Sequence, residues 1–175
     1  MVEYVGGGDS GTGITSIGSG KDYSTIAAWI ASLSDGTYSS GDDIIGELYD
    51  SSYDEAFNIG DAPFSIGGLN SVTLRANSAY KHDGTPDSGV KITYSGSVPD
   101  SSAPYTVSYD SSTYGEYKVK IEDIEFADFN NSADVHVYGF LLSEKTTIMS
   151  RCLVNNFSSN GSSTKRFRLF RQGKP

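Results

Sequence analysis

The stretch IEDIEFADFNN, Ile121–Asn131, decides how this chain is read, because it recurs 28 residues later as MSRCLVNNFSS, Met149–Ser159. Ile121 matches Met149, Ile124 matches Cys152, Phe126 matches Val154 and Phe129 matches Phe157. The shared apolar pattern is I-x-x-I-x-F-x-x-F. A strand lying on a core alternates with a period of two, and here pairs of x positions break that alternation. Each break marks a corner, where the chain turns from one short strand into the next. A period of a few tens of residues with corners inside it is the mark of a stacked-coil solenoid. Upstream, VTLRA and VKITYSG read as earlier coils with loops such as NSAYKHDGTPDSG inserted between them.

The remaining runs fit this reading. TGITSIG, DDIIGELY, YTVSY and VHVYGFLL are short, rich in β-branched or aromatic residues, and separated by turn residues. An alternating βα fold is excluded, because no series of helical stripes exists to cover a parallel sheet. A sandwich of hairpins is disfavoured, because Asn160-Gly161 is the only Asn-Gly pair in the chain. One helix is predicted, over about residues 23–34 of GSGKDYSTIAAWIASLSDG (Gly18–Gly36). Ile26, Trp29, Ile30 and Leu33 fall on one helical face. Asp22 or Ser24 is the expected N-cap, and Asp35-Gly36 the expected C-terminal stop. An apolar stripe on a lone helix needs an apolar surface. The open first coil of a solenoid supplies one, so the helix is expected to cap the stack.

Composition bounds the function. The 175 residues suit one domain, organised as a flexible 1–12, a coil domain over 13–163 and a basic strand or tail over 164–175. The net charge of -9 is uneven: 5 of the 13 basic residues (Lys165, Arg166, Arg168, Arg171 and Lys174) lie in that tail, which has no acid. The rest therefore carries 22 acids against 8 bases, a net of -14. Such a body disfavours nucleic acid as a partner. No signal-peptide pattern opens the chain and no run reaches the ~20 apolar residues of a membrane span. A virion component or a cytoplasmic protein is expected, with no membrane partner. The single Cys152 rules out an internal disulfide.

The stretch IGSGKDYSTIAAWIASL resembles the N-terminal module of the pectin-lyase-like right-handed β-helix superfamily, as found in pectinesterases and in phage and metagenomic β-helix proteins. There a Gly-x-Gly turn, an aromatic residue, Thr-Ile and an Ala-rich helix precede the first coil. SVTLRANSAY and VKIEDIEFADF look like coil strands of the same group. The resemblance implies an all-β fold, a right-handed parallel β-helix with one N-terminal capping helix. It implies no catalytic residue, because the family's catalytic strings are missing. Of the polygalacturonase motifs only Asp42-Asp43 matches, and that pair reads better as the opening of a strand.

Glu122, Asp123, Glu125 and Asp128 form the densest acidic cluster, and paired carboxylates are the chemistry of glycoside cleavage. The competing reading places them on the solvent side of inward Ile121, Ile124, Phe126 and Phe129, with Asp123 paired to Arg151 one coil later. Cys152 aligns with Ile124 and should point inward. His82 and His136 lack partners at metal or triad spacing, so neither a metal nor a cofactor is expected. Asn130, Asn131, Asn155 and Asn156 fall at corners, where stacked amides form ladders. Tyr105, Tyr109, Tyr114 and Tyr117 crowd into PYTVSYDSSTYGEYK and offer a ligand-binding surface for sugar rings or a protein. The expected function is a non-enzymatic structural or carbohydrate- or partner-recognition module, of the type found in a phage tail fibre or spike. The alternative is the first coils of a polysaccharide lyase, hydrolase or pectinesterase-like enzyme without its active site. The basic C-terminal edge is the expected contact of a homo-oligomer.

Overall fold

The computed structural model describes residues 3–5, 12–33, 38, 41–59, 69–99, 102–107, 118–131, 137–142, 147–159 and 167–172. The chain runs through β1 (Glu3–Val5) and β2 (Thr12–Ile17) into a helix, α1 (Ile26–Ser32). Three strands follow: β3 (Asp43–Leu48), β4 (Ser52–Asp54) and β5 (Phe57–Ile59). The next round is β6 (Ser71–Ala76), β7 (Lys91–Thr93) and β8 (Tyr105–Val107). It is succeeded by β9 (Lys118–Glu122), β10 (Glu125–Phe126), β11 (Asn130–Asn131) and β12 (Val137–Leu142). The last described round is β13 (Thr147–Ser150), β14 (Leu153–Val154), β15 (Ser158–Ser159) and β16 (Phe167–Gln172).

Corresponding strands of successive rounds pair in parallel. The first sheet has the order β1-β2-β3-β6-β9-β13, the second β4-β7-β10-β14 and the third β5-β8-β12-β16; β11 pairs with β15. Among the described residues only the β1–β2 pair is antiparallel. The protein is therefore an all-β chain of parallel sheets with one helix. The internal repeat is the pairing register itself: Met149 lies opposite Ile121, Val154 opposite Phe126, and Ser158 opposite Asn130. Asp43 stands opposite Ser71 at the same spacing.

The corners fall where the apolar alternation breaks. Asp123 and Arg151 occupy one corner with φ of 59° and 51°, and Asp128 and Asn156 the other with 57° and 50°. Short Asp and Asn side chains tolerate this left-handed region better than most. At the first corner Arg151 donates to both oxygens of Asp123, from Nε at 2.5 Å and Nη2 at 3.0 Å.

Between the sheets lies the main apolar core, with Val98 and Phe129 in a smaller cluster beside it. Ile44, Val72 and Val119 form one inward column of the first sheet; Leu74 and Ile121 continue a second beside it. On the other side an aromatic group fills the space between the second and third sheets. Tyr105 and Phe140 each stand with ring centroids 4.9 Å from Phe126. Rings of this size dominate core energetics when fully buried.

The helix is shorter than its sequence pattern predicts. Its N-cap is Thr25, whose hydroxyl accepts from Ala28 N–H at 3.0 Å, and neither Asp22 nor Ser24. Asp22 is engaged elsewhere, its carboxylate accepting from Ser16 N–H at 3.0 Å and Ser16 Oγ at 2.8 Å. Tyr23 is still bridged to Ile17, which delays the helical turn. The predicted stop at Asp35-Gly36 lies outside the described residues. Ile26, Trp29, Ile30 and Leu33 are all buried, as their spacing requires. The helix packs on β5, the edge strand of the third sheet, and Glu55 accepts from Ile26 N–H at 3.0 Å and Ala27 N–H at 3.1 Å. Those two donors have no partner inside a helix, so a carboxylate there satisfies them and the helix dipole together. Gly46 of β3 makes the close approach work: a Cβ there would stand 2.7 Å from the Trp29 ring and 2.9 Å from Ile17 Cδ1.

Candidate functional site

The outward face of the first sheet carries three rows of side chains running across the strands. One row is Thr12, Asp43, Ser71 and Lys118; the central row is Ile14, Ile45, Thr73, Lys120 and Ile148; the third is Ser16, Glu47, Arg75, Glu122 and Ser150. Parallel in-register pairing places these residues beside one another at the strand spacing of about 4.8 Å. Ser71 and Thr73 point away from the core, yet they are 1% and 4% exposed. They form the floor of a groove of about 150 Å³, walled by Asp43, Arg75, Lys120 and Glu122.

The polar groups of the groove are cross-linked between strands. Ser71 Oγ donates to Asp43 Oδ1, which also accepts from Asn70 Nδ2 at 2.9 Å. Lys120 Nζ donates to Ser71 Oγ at 3.3 Å. Along the opposite wall Arg75 reaches Glu47 Oε1 with Nε at 2.9 Å and Nη2 at 2.6 Å. Asn77 Nδ2 and Tyr49 Oη donate to Glu47 Oε2 at 3.1 and 3.2 Å. Burial works to raise the Glu47 carboxyl, but the Arg75 and Asn77 hydrogen bonds outweigh it and hold the group below the usual range. Tyr49 belongs to an aromatic pair. Tyr80 meets Tyr49 edge-on at 6.2 Å and is 40% exposed, while Lys21 Nζ lies 4.2 Å from the Tyr49 centroid.

The acidic cluster read from the sequence does not converge. Glu122 faces outward from the first sheet, and Asp123 turns at the corner beneath Arg151 and Lys81. Glu125 lies on the second sheet and Asp128 at the next corner. The Arg151 hydrogen bonds hold the Asp123 carboxyl at about 2 against the cost of its burial. Glu125 corrects the expectation of a solvent-facing row: it is buried, because the 81–89 loop folds over it. Asp87 N–H and Asn155 Nδ2 donate to its two oxygens at 2.7 and 2.5 Å. The corner asparagines also differ from the expected amide ladder. Asn155 bonds Glu125, and Asn156 bonds Asp128 at 2.7 Å, so amides stack on carboxylates.

Tyr105 does not belong to a ligand-binding surface. It is 1% exposed and its hydroxyl donates to Ile92 O at 3.4 Å, with burial pushing the phenol well up. Alternation explains the placement: Tyr105 and Val107 face the core and Thr106 faces out. Tyr109, Tyr114 and Tyr117 lie outside the described residues, as does His136. His82 accepts from Gly84 N–H at Nδ1, 3.2 Å, and its Nε2 stands 2.6 Å from Arg151 O, so it ties the 81–89 loop to a corner. Cys152 is half-buried against the core, and burial raises its thiol. Among the described residues no group of three His, Cys, Asp or Glu side chains is placed to hold a metal ion.

Sequence reading missed the groove residues Ser71, Thr73, Arg75 and Lys120. Their signal was present in SVTLRA, where polar and apolar residues alternate, and in the 28-residue spacing from Asp43 to Ser71 and from Glu47 to Arg75. No family model, curated protein or solved structure matches the chain. Among the described residues no helix is long and apolar enough to cross a membrane.

Proposed function

We propose that the successive rounds form a right-handed parallel β-helix capped at its first round by α1, and that the protein is a non-enzymatic recognition module binding a glycan along the first sheet's groove. The observation that carries this reading is the sequestered floor: two hydroxyl side chains that point outward are nearly buried between walls that carry both signs of charge. Sugar hydroxyls both donate and accept, so they suit a site that alternates carboxylate, hydroxyl, ammonium and guanidinium groups. The apolar Ile45 in the central row offers contact to the C–H face of a ring. The strands repeat at about 4.8 Å, so successive rings of an extended sugar chain can meet successive strands. Glu122, Asp123, Glu125 and Asp128 lie dispersed over separate faces, so that cluster does not supply the two carboxylates flanking one bond that glycoside cleavage needs. A module of this kind suits a tail fibre, spike or similar appendage, and the likeness of GSGKDYSTIAAWIASL to the pectin-lyase-like superfamily supports the coil architecture.

Calorimetric titration with a broad panel of soluble oligosaccharides tests the reading, with Thr73→Val as the groove-floor variant. Binding by the parent protein and its loss in Thr73→Val, at unchanged thermal stability, is the expected result. Binding to none of the panel, or binding indifferent to Thr73, overturns it.

A further inference from the structure

The groove sits on an acidic protein, yet its own charges cancel. Asp43, Glu47 and Glu122 supply three negative charges on the three rows, and Arg75, Lys118 and Lys120 supply three positive ones. The whole chain carries -9. The balance is also local. Arg75 gives Nε and Nη2 to Glu47, and Lys120 points its ammonium at the hydroxyl that Asp43 already holds. Glu122 stands with Arg151 Nη2 3.7 Å from its carboxylate. Arg75 therefore lies against an anion and Lys120 against a hydroxyl that an anion holds, and the three rows together offer an incoming carboxylate or sulfate no net positive charge.

From this balance we infer that the groove selects a neutral polyhydroxylated glycan, such as a hexose polymer, and rejects uronate-bearing or sulfated ones. The inference rests on the recognition reading above and names its ligand class. An acidic chain entering the groove meets no net attraction from the walls and a repulsive field from the surrounding body. A neutral chain loses nothing to that field, and its hydroxyls take the outer lone pairs and protons of groups held in place by their own cross-strand bonds. Such preorganised charged partners give strong hydrogen bonds to hydroxyls without requiring charge on the ligand.

The experiment is a titration of the full chain with matched neutral, uronate and sulfated oligosaccharides. It is repeated at about 0.01 M and about 0.15 M ionic strength, where the Debye length falls from about 30 Å to about 8 Å. The expected result is binding of a neutral oligosaccharide with less than about a twofold change between the two salts, and binding of its acidic counterpart at least about tenfold weaker at low salt. Asp43→Asn combined with Glu122→Gln removes two negative charges from the walls and keeps both hydrogen-bonding side chains. It should narrow that gap by bringing the acidic ligand in. Tighter binding of the acidic member by the parent chain, or an affinity that falls steeply with salt, overturns the neutral assignment while leaving glycan recognition standing. Binding of no member at either salt overturns recognition itself, and the ligand assignment with it.

Discussion

Residues 121–129 and 149–157 carry the same apolar pattern in the same register, and they differ in burial. Ile121, Ile124, Phe126 and Phe129 are fully buried, whereas Met149, Cys152, Val154 and Phe157 are only half-buried. The reason is position in the sheets: β9 lies between β6 and β13, and β10 between β7 and β14, while β13 and β14 are edge strands. A side chain in a stack of parallel strands is enclosed by its counterparts on both sides. Pattern assigns a residue to the inward face; only a second neighbour completes its burial. At the opposite end α1 plays that second neighbour for the edge strand β5, and its Trp29 also fills the space over Gly46.

That contrast can be broken most sharply at the matched pair Phe126 and Val154. Phe126→Ala should cost about 3–5 kcal/mol, since it empties the centre of the aromatic group. Val154→Ala should cost roughly 1 kcal/mol, because its side chain is half-exposed and its loss leaves no enclosed cavity. Urea unfolding of both variants measures the difference. Equal costs would mean that the edge round is as tightly enclosed as the one before it.

Gly46→Ala tests the close approach of the helix to the sheets. The added methyl overlaps the Trp29 ring, so a loss of about 1–3 kcal/mol is expected in the same assay. Gly46→Ala together with Trp29→Phe should recover part of it. A neutral Gly46→Ala would show that the helix does not seat on β3 as described.

The corner pairs give a smaller effect with a defined pH dependence. Asp123 titrates at about 2 in the folded chain, below its ordinary 3.8, because Arg151 and Lys81 hold its carboxylate. A depressed folded value means stabilisation that is complete above the ordinary value and is lost as pH falls from about 4 through about 2. Asp123→Asn should therefore flatten the acid limb of the stability curve in that window. An acid limb unchanged by Asp123→Asn would sink the assignment. At the second corner Asn156→Ala should cost about 1 kcal/mol, because alanine is strained at a φ of 50° and the bond to Asp128 is lost. Asn156→Gly should cost less, since glycine adopts that conformation freely.

Much of the architecture was legible in the chain because a parallel ladder copies its spacing from the sequence. The match of Ile121 to Met149 and of Phe126 to Val154 is a statement of register, and the double breaks in the pattern located both corners. The Ile26, Trp29, Ile30 and Leu33 stripe located the helix. The short strands β4 and β5 were not legible, since three residues hold too little periodicity to stand out from the turns beside them. The candidate site was legible only as alternation. SVTLRA displays Ser71, Thr73 and Arg75 on one face, but an alternating strand does not reveal whether its polar face is open or sequestered.

Sequence by itself determined which residues of the 28-residue repeat face inward, where that segment turns and how far apart its paired strands lie, because these are properties of period and spacing. Tertiary structure alone decided what each polar face meets. Glu125 looked like one more solvated acid and is buried under a loop; Tyr105 looked like a surface aromatic and is core; Ser71 and Thr73 looked like ordinary strand residues and floor a groove. The physical reason is common to all three. Exposure is set by neighbours remote in the chain, and only the parallel pairing of β3, β6 and β9 brings Asp43, Ser71 and Lys120 to one place.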